Sequence, residues 1–235
     1  MTTTPAPTID FARSFRFVPE DPEWIKKILI GGGFALLSVL LIGIPFVAGY
    51  WARTLGRVAA GDARPLPEWD DLGGIFGDGV KLALVGLAYG LIAVLVLGSL
   101  GCVIGFFFVG AGALEQQSQG AGSVLAALGG LGAVGLYLLL ILAGLALHLY
   151  VPAALVRVAL KNDLASGFDF GAHFAFIRGN LVNYLLSLLF YLVASFVSQF
   201  GVVLCCIGVF PLAFWAYLIL AYALGETVRL NPGSV

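Results

Sequence analysis

The stretch from Val80 to Leu114 contains a single charged residue, Lys81, and is otherwise built of apolar residues, glycine and one serine. As a helix it would extend about 50 Å at ~1.5 Å per residue, which exceeds the ~30 Å hydrocarbon core of a bilayer. A soluble domain has no interior that could bury such a run on all faces. The run therefore predicts a membrane helix that tilts, bends near residues 98–101 or protrudes from the bilayer.

The rest of the chain has the same character. Its mean hydropathy is +1.03 and 60% of its residues are hydrophobic, against about 45–50% for soluble domains. Its 235 residues suffice for one membrane domain, because each span needs ~20 apolar residues. We predict an all-α integral membrane bundle of five to six transmembrane segments in residues 21–235, after a flexible or interfacial segment in residues 1–20.

The first apolar region can be threaded in two ways. Residues 28–51 are uncharged and are interrupted by Gly43, Ile44 and Pro45. They form either one kinked crossing or a hairpin that turns back at this interruption. The alternatives place the N-terminus on opposite sides of the membrane, and both stay open, although the hairpin agrees better with the basic residues.

Basic residues predict the orientation, because Lys and Arg near span ends are retained on the cytoplasmic side. They occur before residue 28, in two connecting segments and near the C-terminus, whereas the turns at residues 115–122 and at Gly201 have none. We therefore expect a prokaryotic cell (inner) membrane protein with both charged connectors and the C-terminus in the cytoplasm. A net charge of −1 leaves no basic excess for nucleic acid, so membrane lipid and other membrane proteins are the expected partners.

The acidic residues are concentrated between Arg64 and Lys81. Four carboxylates in one short segment could bind a divalent cation through their oxygens. We favour a structural interpretation, in which they pair with basic residues at the inner surface, and we expect no metal site, cofactor or catalytic residue. The predicted inner-surface cluster is Arg53, Arg57, Glu68, Trp69, Asp70, Asp71, Asp78, Lys81, Arg157 and Asp169.

An offset of about 100 residues relates the two connecting segments. Arg57 corresponds to Arg157, and Trp69-Asp70 corresponds to Phe168-Asp169. Apolar residues three to four apart predict that each connector forms an amphipathic helix on the inner surface. The pattern is compatible with an internal duplication, with halves at 21–114 and 123–229, or with coincidence in a chain rich in glycine and leucine.

Two further features of the spans are candidates for a role. Gly86/Gly90 and Gly101/Gly105 have the small-xxx-small spacing that lets membrane helices approach closely, within one chain or between subunits. His148 is an ionisable residue within a span, and such residues often serve in transport. It lies close to the predicted cytoplasmic interface, where a neutral histidine is tolerated, so we treat it as a weak candidate.

Several motifs carry a resemblance to a known family. In order, these are DPEWIKK at residues 21–27, IPFVAGY at 44–50 and LPEWDDLGGIFGDGVK at 66–81. With them, the chain resembles the bacterial and archaeal multi-pass membrane proteins catalogued as domain of unknown function number four thousand and thirteen. The resemblance extends from about Phe15 to Gly225. It implies a membrane fold and compartment, and no reaction.

These observations predict a non-enzymatic structural or assembly component that packs with itself, as a homo-oligomer, or within a larger membrane complex. No Asp, Glu, Lys or Arg lies in the middle of a predicted span, which argues against ion-coupled transport. The alternative is a passive channel or small-solute transporter.

Overall fold

The computed structural model describes residues 8–115, 121–203 and 207–235, and these are helical with no strand. The predicted all-α class is therefore confirmed for this part of the chain. The predicted polar turn at 115–122 lies largely outside the described residues. The α-helices are α1 (Phe11–Arg16), α2 (Trp24–Leu37), α3 (Ile44–Ala60), α4 (Leu72–Glu115), α5 (Ala121–Lys161), α6 (Phe170–Gly179), α7 (Leu181–Gln199) and α8 (Val209–Leu230).

Within the described residues, four helical segments are long and apolar enough to cross a membrane. α2 and α3 are shorter, at 14 and 17 residues. The four segments are Leu72–Val103, Val134–Lys161, Leu181–Val203 and Val209–Leu230.

α2 and α3 form an antiparallel helical hairpin. A short 3₁₀ turn follows α2, Leu41 adopts a left-handed conformation with φ 66°, and the Gly43 amide donates to the Leu37 carbonyl at 3.2 Å. At the other end of the hairpin, the Leu66 carbonyl accepts from Lys27 near the start of α2 and from Arg57 near the end of α3. The chain therefore reverses direction next to the predicted interruption.

Contacts divide the chain into two compact units, and the first comprises Met1–Val85 and Pro152–Val235. Its central element is α8, whose residues from Leu218 to Val228 are all buried. α2, α3 and α7 pack around this helix. α8 can be buried on every face because its residues are apolar or small, apart from Glu226 and Thr227 in its last turns.

Residues 9–18 belong to this core, although the sequence predicts a flexible or interfacial segment in residues 1–20. Ile9, Phe17 and Val18 are buried, and the Phe17 ring stacks on Tyr222 of α8 with ring centroids 4.4 Å apart. The Ile9 amide also donates to Asn183 on α7 at 3.2 Å. These aromatic and aliphatic side chains can fill space beside α8, so the segment from residue 9 to 18 is part of the bundle.

The two connectors differ in structure. The second contains the predicted separate helix, α6, whose N-cap Asp169 accepts from the Ala172 amide at 3.0 Å. The first connector has no separate helix, because its helical part begins at Leu72 and continues without a break as α4. Asp71 accepts from the Gly74 amide at 3.0 Å and caps that helix. The amphipathic helix predicted for the first connector is thus not a separate element, and the helical residues of this region are the first turns of α4.

The second compact unit is Gly86–Val151, formed by the continuations of α4 and α5. In this unit the rings of Tyr89 and Tyr150 meet edge to face, with centroids 5.6 Å apart. Most of its described side chains are exposed in the single chain.

Candidate functional site

A buried ammonium group lies where the N-terminal segment, the helical hairpin and the first connector meet. Lys27 is only 2% exposed. Its Nζ donates to Asp21 at 2.8 Å, contacts Glu68 at 2.6 Å and donates to the Leu66 carbonyl at 3.3 Å. We refer to Asp21, Lys27, Leu66 and Glu68 as the Lys27 cluster. Glu68 is a predicted cluster member, whereas its partner Lys27 is not.

The Lys27 cluster keeps its cation charged. Burial alone would lower the pKa of Lys27, but hydrogen bonds to Asp21 and Glu68 raise it above its usual value. The three polar partners fit the three donors of an ammonium group. The cluster is therefore a structural junction between the segment from Asp21 to Lys27 and the first connector, whose Leu66 is 39 residues from Lys27.

Trp69 reinforces this junction. Its indole Nε1 donates to the Lys27 carbonyl at 3.1 Å, and its ring stacks on Tyr50 of α3 with centroids 4.3 Å apart. Phe34 of α2 also stacks on Trp69, with centroids 5.1 Å apart. The Tyr50 hydroxyl donates to the Pro67 carbonyl at 2.9 Å. Trp69 thus joins the connector to both helices of the hairpin.

A second ion-pair group lies between α3 and the start of α4. The Arg53 Nε donates to Asp78 at 2.7 Å, and its terminal nitrogen donates to Asp71 at 2.9 Å. Arg53, Asp71 and Asp78 make up the Arg53 cluster, and all three are predicted cluster residues. The neighbouring Asp70 is exposed and is not in the Arg53 cluster.

The remaining predicted residues lie near the second connector. Arg157 pairs with Asp169 at 3.5 Å, and its buried Nε has no hydrogen-bond partner among the described residues. Lys81 donates to the side chain and the backbone carbonyl of Asn162 at 2.7 and 3.0 Å. The structure thus distributes the predicted cluster over several separate groups, in which arginines hold each connector to the helix that precedes it.

Close helix contacts occur at glycines that the sequence analysis does not select. A Cβ on Gly49 of α3 would overlap the Ile75 carbonyl, and a Cβ on Gly79 of α4 would overlap the Pro45 carbonyl. Gly225 of α8 approaches the Leu55 carbonyl of α3. By contrast, a Cβ on any of the four predicted packing glycines would meet no other described atom within 4 Å; these are Gly86, Gly90, Gly101 and Gly105.

The two histidines occupy different environments. His148 lies on α5 within the span Val134–Lys161 and is exposed in the single chain. His173 on α6 is fully buried, and its Nε2 lies 3.0 Å from the Ser166 carbonyl. Burial lowers the pKa of His173, and the nearby Arg157 lowers it further, while the contacts with Ser166 and Asp169 oppose the shift.

We predict that stability falls when the pH decreases from 7 to 5.5. The unfolded state binds a proton near pH ~6.5, but folded His173 has a lowered pKa, so protonation favours unfolding below that value. The loss levels off once the pH is below the folded pKa. Thermal unfolding of the detergent-solubilised protein should show this slope. His173→Gln should flatten it, and an unchanged slope in that variant would assign it to other groups.

Within the described residues, no group of three or more His, Cys, Asp or Glu side chains is placed to hold a metal ion. The site chemistry that the structure does contain is ion pairing and hydrogen bonding between segments.

Comparisons with known proteins locate the chain in one family. Searches of curated proteins and of solved structures found no match. The family described as "Protein of unknown function (DUF4013)" matches residues 33–207, which is well over half of the 235 residues. The match includes the last turn of α2, all of α3, both connectors and the Arg53 cluster. The chain therefore belongs to the DUF4013 family of proteins of unknown function.

Proposed function

We propose that this protein is a non-catalytic component of the prokaryotic cell membrane that assembles with copies of itself or within a larger membrane complex. The observation that carries the proposal is the glycine face of α4, beside which the described residues leave open space. Gly90, Gly101 and Gly105 are exposed, and no other described atom lies within 4 Å of a Cβ built there.

The geometry of that face suits a helix partner. With ~3.6 residues per turn, Gly86, Gly90, Gly101 and Gly105 fall within an arc of about 100°. They extend over about 28 Å at ~1.5 Å per residue, close to the ~30 Å hydrocarbon core. Glycine has no side chain for lipid tails to pack against, whereas a second helix can approach the α4 backbone closely at these glycines. The partner is a transmembrane helix of another subunit.

The packing of the first unit argues against a pore. Several polar side chains that could line a path bond instead to carbonyls of their own helices. These hydrogen bonds are Ser38 to Phe34 at 2.9 Å, Ser187 to Asn183 at 2.8 Å, Ser198 to Ser195 at 2.7 Å and Thr227 to Ala223 at 2.8 Å. Each hydroxyl has one proton to donate, and these protons are already bonded within the protein, which supports the assembly role over a channel or transporter.

The topology that accompanies this role has four spans and one re-entrant hairpin. Lys27 and Arg57 meet at the same carbonyl, so both ends of the hairpin lie on one side. The hairpin tip, from Val39 to Ile42, is exposed and apolar, as expected for a segment in the bilayer. Under the positive-inside rule, the N-terminus, both connectors and the C-terminus are cytoplasmic.

The test replaces two glycines on the proposed face. Gly90→Leu with Gly101→Leu should weaken self-association at least about tenfold, because overpacking a close contact costs ~1–3 kcal/mol. The mass of the complex in mild detergent, by light scattering, measures this. Gly144→Leu is the control, since Gly144 on α5 is equally open in the single chain and is not on this face.

The outcomes separate the hypotheses. Loss of a homo-oligomer, or of co-purifying membrane proteins, in the double variant but not in Gly144→Leu supports the assembly role. A wild-type protein that purifies alone as a monomer, with a melting temperature raised by a small solute, would refute it and support transport.

A further inference from the structure

The first unit contains a cavity of about 310 Å³ between α3, α4 and the end of α5. Its polar lining comprises Arg53, Arg57, Asp78 and Asn162, and Leu82 and Val158 contribute apolar walls. We call this cavity the arginine cleft. Its volume is at the lower limit of small-ligand sites, which are typically ~300–1,000 Å³. It can therefore hold a small head group, and not a whole lipid.

Charge compensation within the cleft is uneven. Arg53 donates to both Asp71 and Asp78, so the only carboxylate in the lining is already paired. Arg57 donates only to the neutral Leu66 carbonyl at 3.3 Å and is in no ion pair with any described residue. Four of the five N–H donors of a guanidinium thus remain for water or a ligand.

A second cation lies at the cleft, and within the described part of the chain it donates to neutral oxygens. Lys81 donates to Asn162 Oδ1 at 2.7 Å and to the Asn162 carbonyl at 3.0 Å, and Asn162 itself lines the cleft. Asn162 adopts a left-handed conformation with φ 52° where α5 ends. Asparagine adopts this conformation more readily than other residues except glycine, and it commonly does so just after a helix. The conformation brings both Asn162 oxygens to the Lys81 ammonium.

The position of the cleft relative to the spans indicates the kind of anion. The span Leu72–Val103 begins near it, and the span Val134–Lys161 ends one residue before Asn162. The cleft therefore lies at the level of lipid phosphates. Arginine is suited to phosphate because its planar fork can donate two parallel hydrogen bonds, and basic pockets between membrane helices bind anionic head groups.

We propose that the arginine cleft binds the phosphate group of an anionic ligand, with Arg57 as the principal donor and Lys81 as the second cation. The apolar walls formed by Leu82 and Val158 fit the carbon atoms next to a lipid phosphate. The site does not depend on assembly, because all its residues come from one chain.

The experiment measures binding to the purified full chain in a neutral detergent. The probes are dioctanoyl phosphatidylglycerol, dioctanoyl phosphatidylcholine and inorganic phosphate, titrated by calorimetry. Arg57→Gln should weaken phosphatidylglycerol binding at least about tenfold, as expected for loss of hydrogen bonds from a charged donor. Lys81→Gln should weaken it less. Arg178→Gln removes one exposed arginine on α6 and should leave it unchanged.

Each outcome decides a part of the proposal. Arg57-dependent binding of phosphatidylglycerol supports a lipid head group as the ligand, and equal, Arg57-dependent binding of inorganic phosphate supports a soluble phosphate compound. Binding that is absent, that is equal in Arg57→Gln and Arg178→Gln, or that is as tight for the zwitterionic phosphatidylcholine would overturn the proposal. The melting temperature of Arg57→Gln shows whether that variant has lost binding or has lost folding. Arg57→Lys keeps the charge and tests whether the planar guanidinium itself is needed.

Discussion

Replacing Lys27 by methionine should destabilise the protein by about 3–5 kcal/mol, the usual cost of removing one partner from a buried ion pair. Methionine fills a similar volume, so the effect comes from the charge. Asp21 is buried and would lose its cation, while Glu68 is half-exposed and would be partly hydrated. The Leu66 carbonyl would also lose a donor. The measurement is the midpoint of denaturant unfolding in detergent, followed by tryptophan fluorescence.

Lys26 provides a matched control for this change. It precedes Lys27 in the same helix and pairs with Glu23 at 2.7 Å, but both side chains are more than half exposed. Exposed pairs contribute at most about 1 kcal/mol, so Lys26→Met should change the midpoint little. Equal effects of the two substitutions would show that the Lys27 cluster does not hold the connector in place.

A second variant tests the buried charge itself. Asp21→Asn added to Lys27→Met removes the carboxylate that the first change leaves uncompensated. Part of the lost stability should return, because an amide is less costly to bury than an unpaired carboxylate. Asparagine can still accept from the Glu23 amide, as Asp21 does at 2.9 Å, so a further loss in the double variant would show that the unpaired carboxylate is not the cause of the first loss.

The local part of the fold could be predicted from the sequence. Residue order alone indicates that α5 continues through Pro152 to Lys161, that α3 ends before Gly61, and that α7 and α8 form a final pair. In each case the signal lies within a few residues: a change of hydropathy, the glycine at position 61, or a polar residue after a span.

The partners of the charged residues could not be predicted in this way. Lys27 and Leu66 are 39 residues apart, and Arg53 and Asp78 are 25 apart. Their contact depends on how the hairpin packs against the connector. A lysine near the end of a span looks the same in the sequence whether its side chain faces water, as that of Lys26 does, or is buried, as that of Lys27 is. On the sequence alone, both lysines are therefore expected at the membrane interface.

The start of α4 shows a competition between local signals. Pro67 and Glu68 are suited to the first turn of a helix, yet the helix begins at Leu72 after Asp71. The connector stays non-helical because Glu68 and Trp69 bond to the hairpin through Lys27. Tertiary contacts thus override a favourable helix start at Pro67 and Glu68. Only the structure reveals that Asp71 caps α4.

Replacing Gly49 or Gly79 by alanine should destabilise the first unit by about 1–3 kcal/mol or more, as overpacking does. Gly49 of α3 and Gly79 of α4 face each other, and the obstacles to a Cβ are backbone carbonyls of Ile75 and Pro45. Helix backbone cannot rotate away as a side chain can. The two helices must therefore separate, which would also disturb the Arg53 cluster that joins them.

Gly56→Ala on α3 and Gly77→Ala on α4 are controls that should change the stability in the opposite direction. A Cβ on either glycine would meet no described atom within 4 Å, so only helix propensity acts, and it favours alanine by about 0.8–1 kcal/mol. These two variants should unfold at a higher denaturant concentration than the wild type, and Gly49→Ala and Gly79→Ala at a lower one. If all four substitutions were stabilising, α3 and α4 would not be in backbone contact. The distinction matters for the spans. The pairs Gly86/Gly90 and Gly101/Gly105 have the regular spacing, but a Cβ there would meet no other described atom within 4 Å, whereas Gly49 and Gly79 are not part of any such glycine pair and form the close contact.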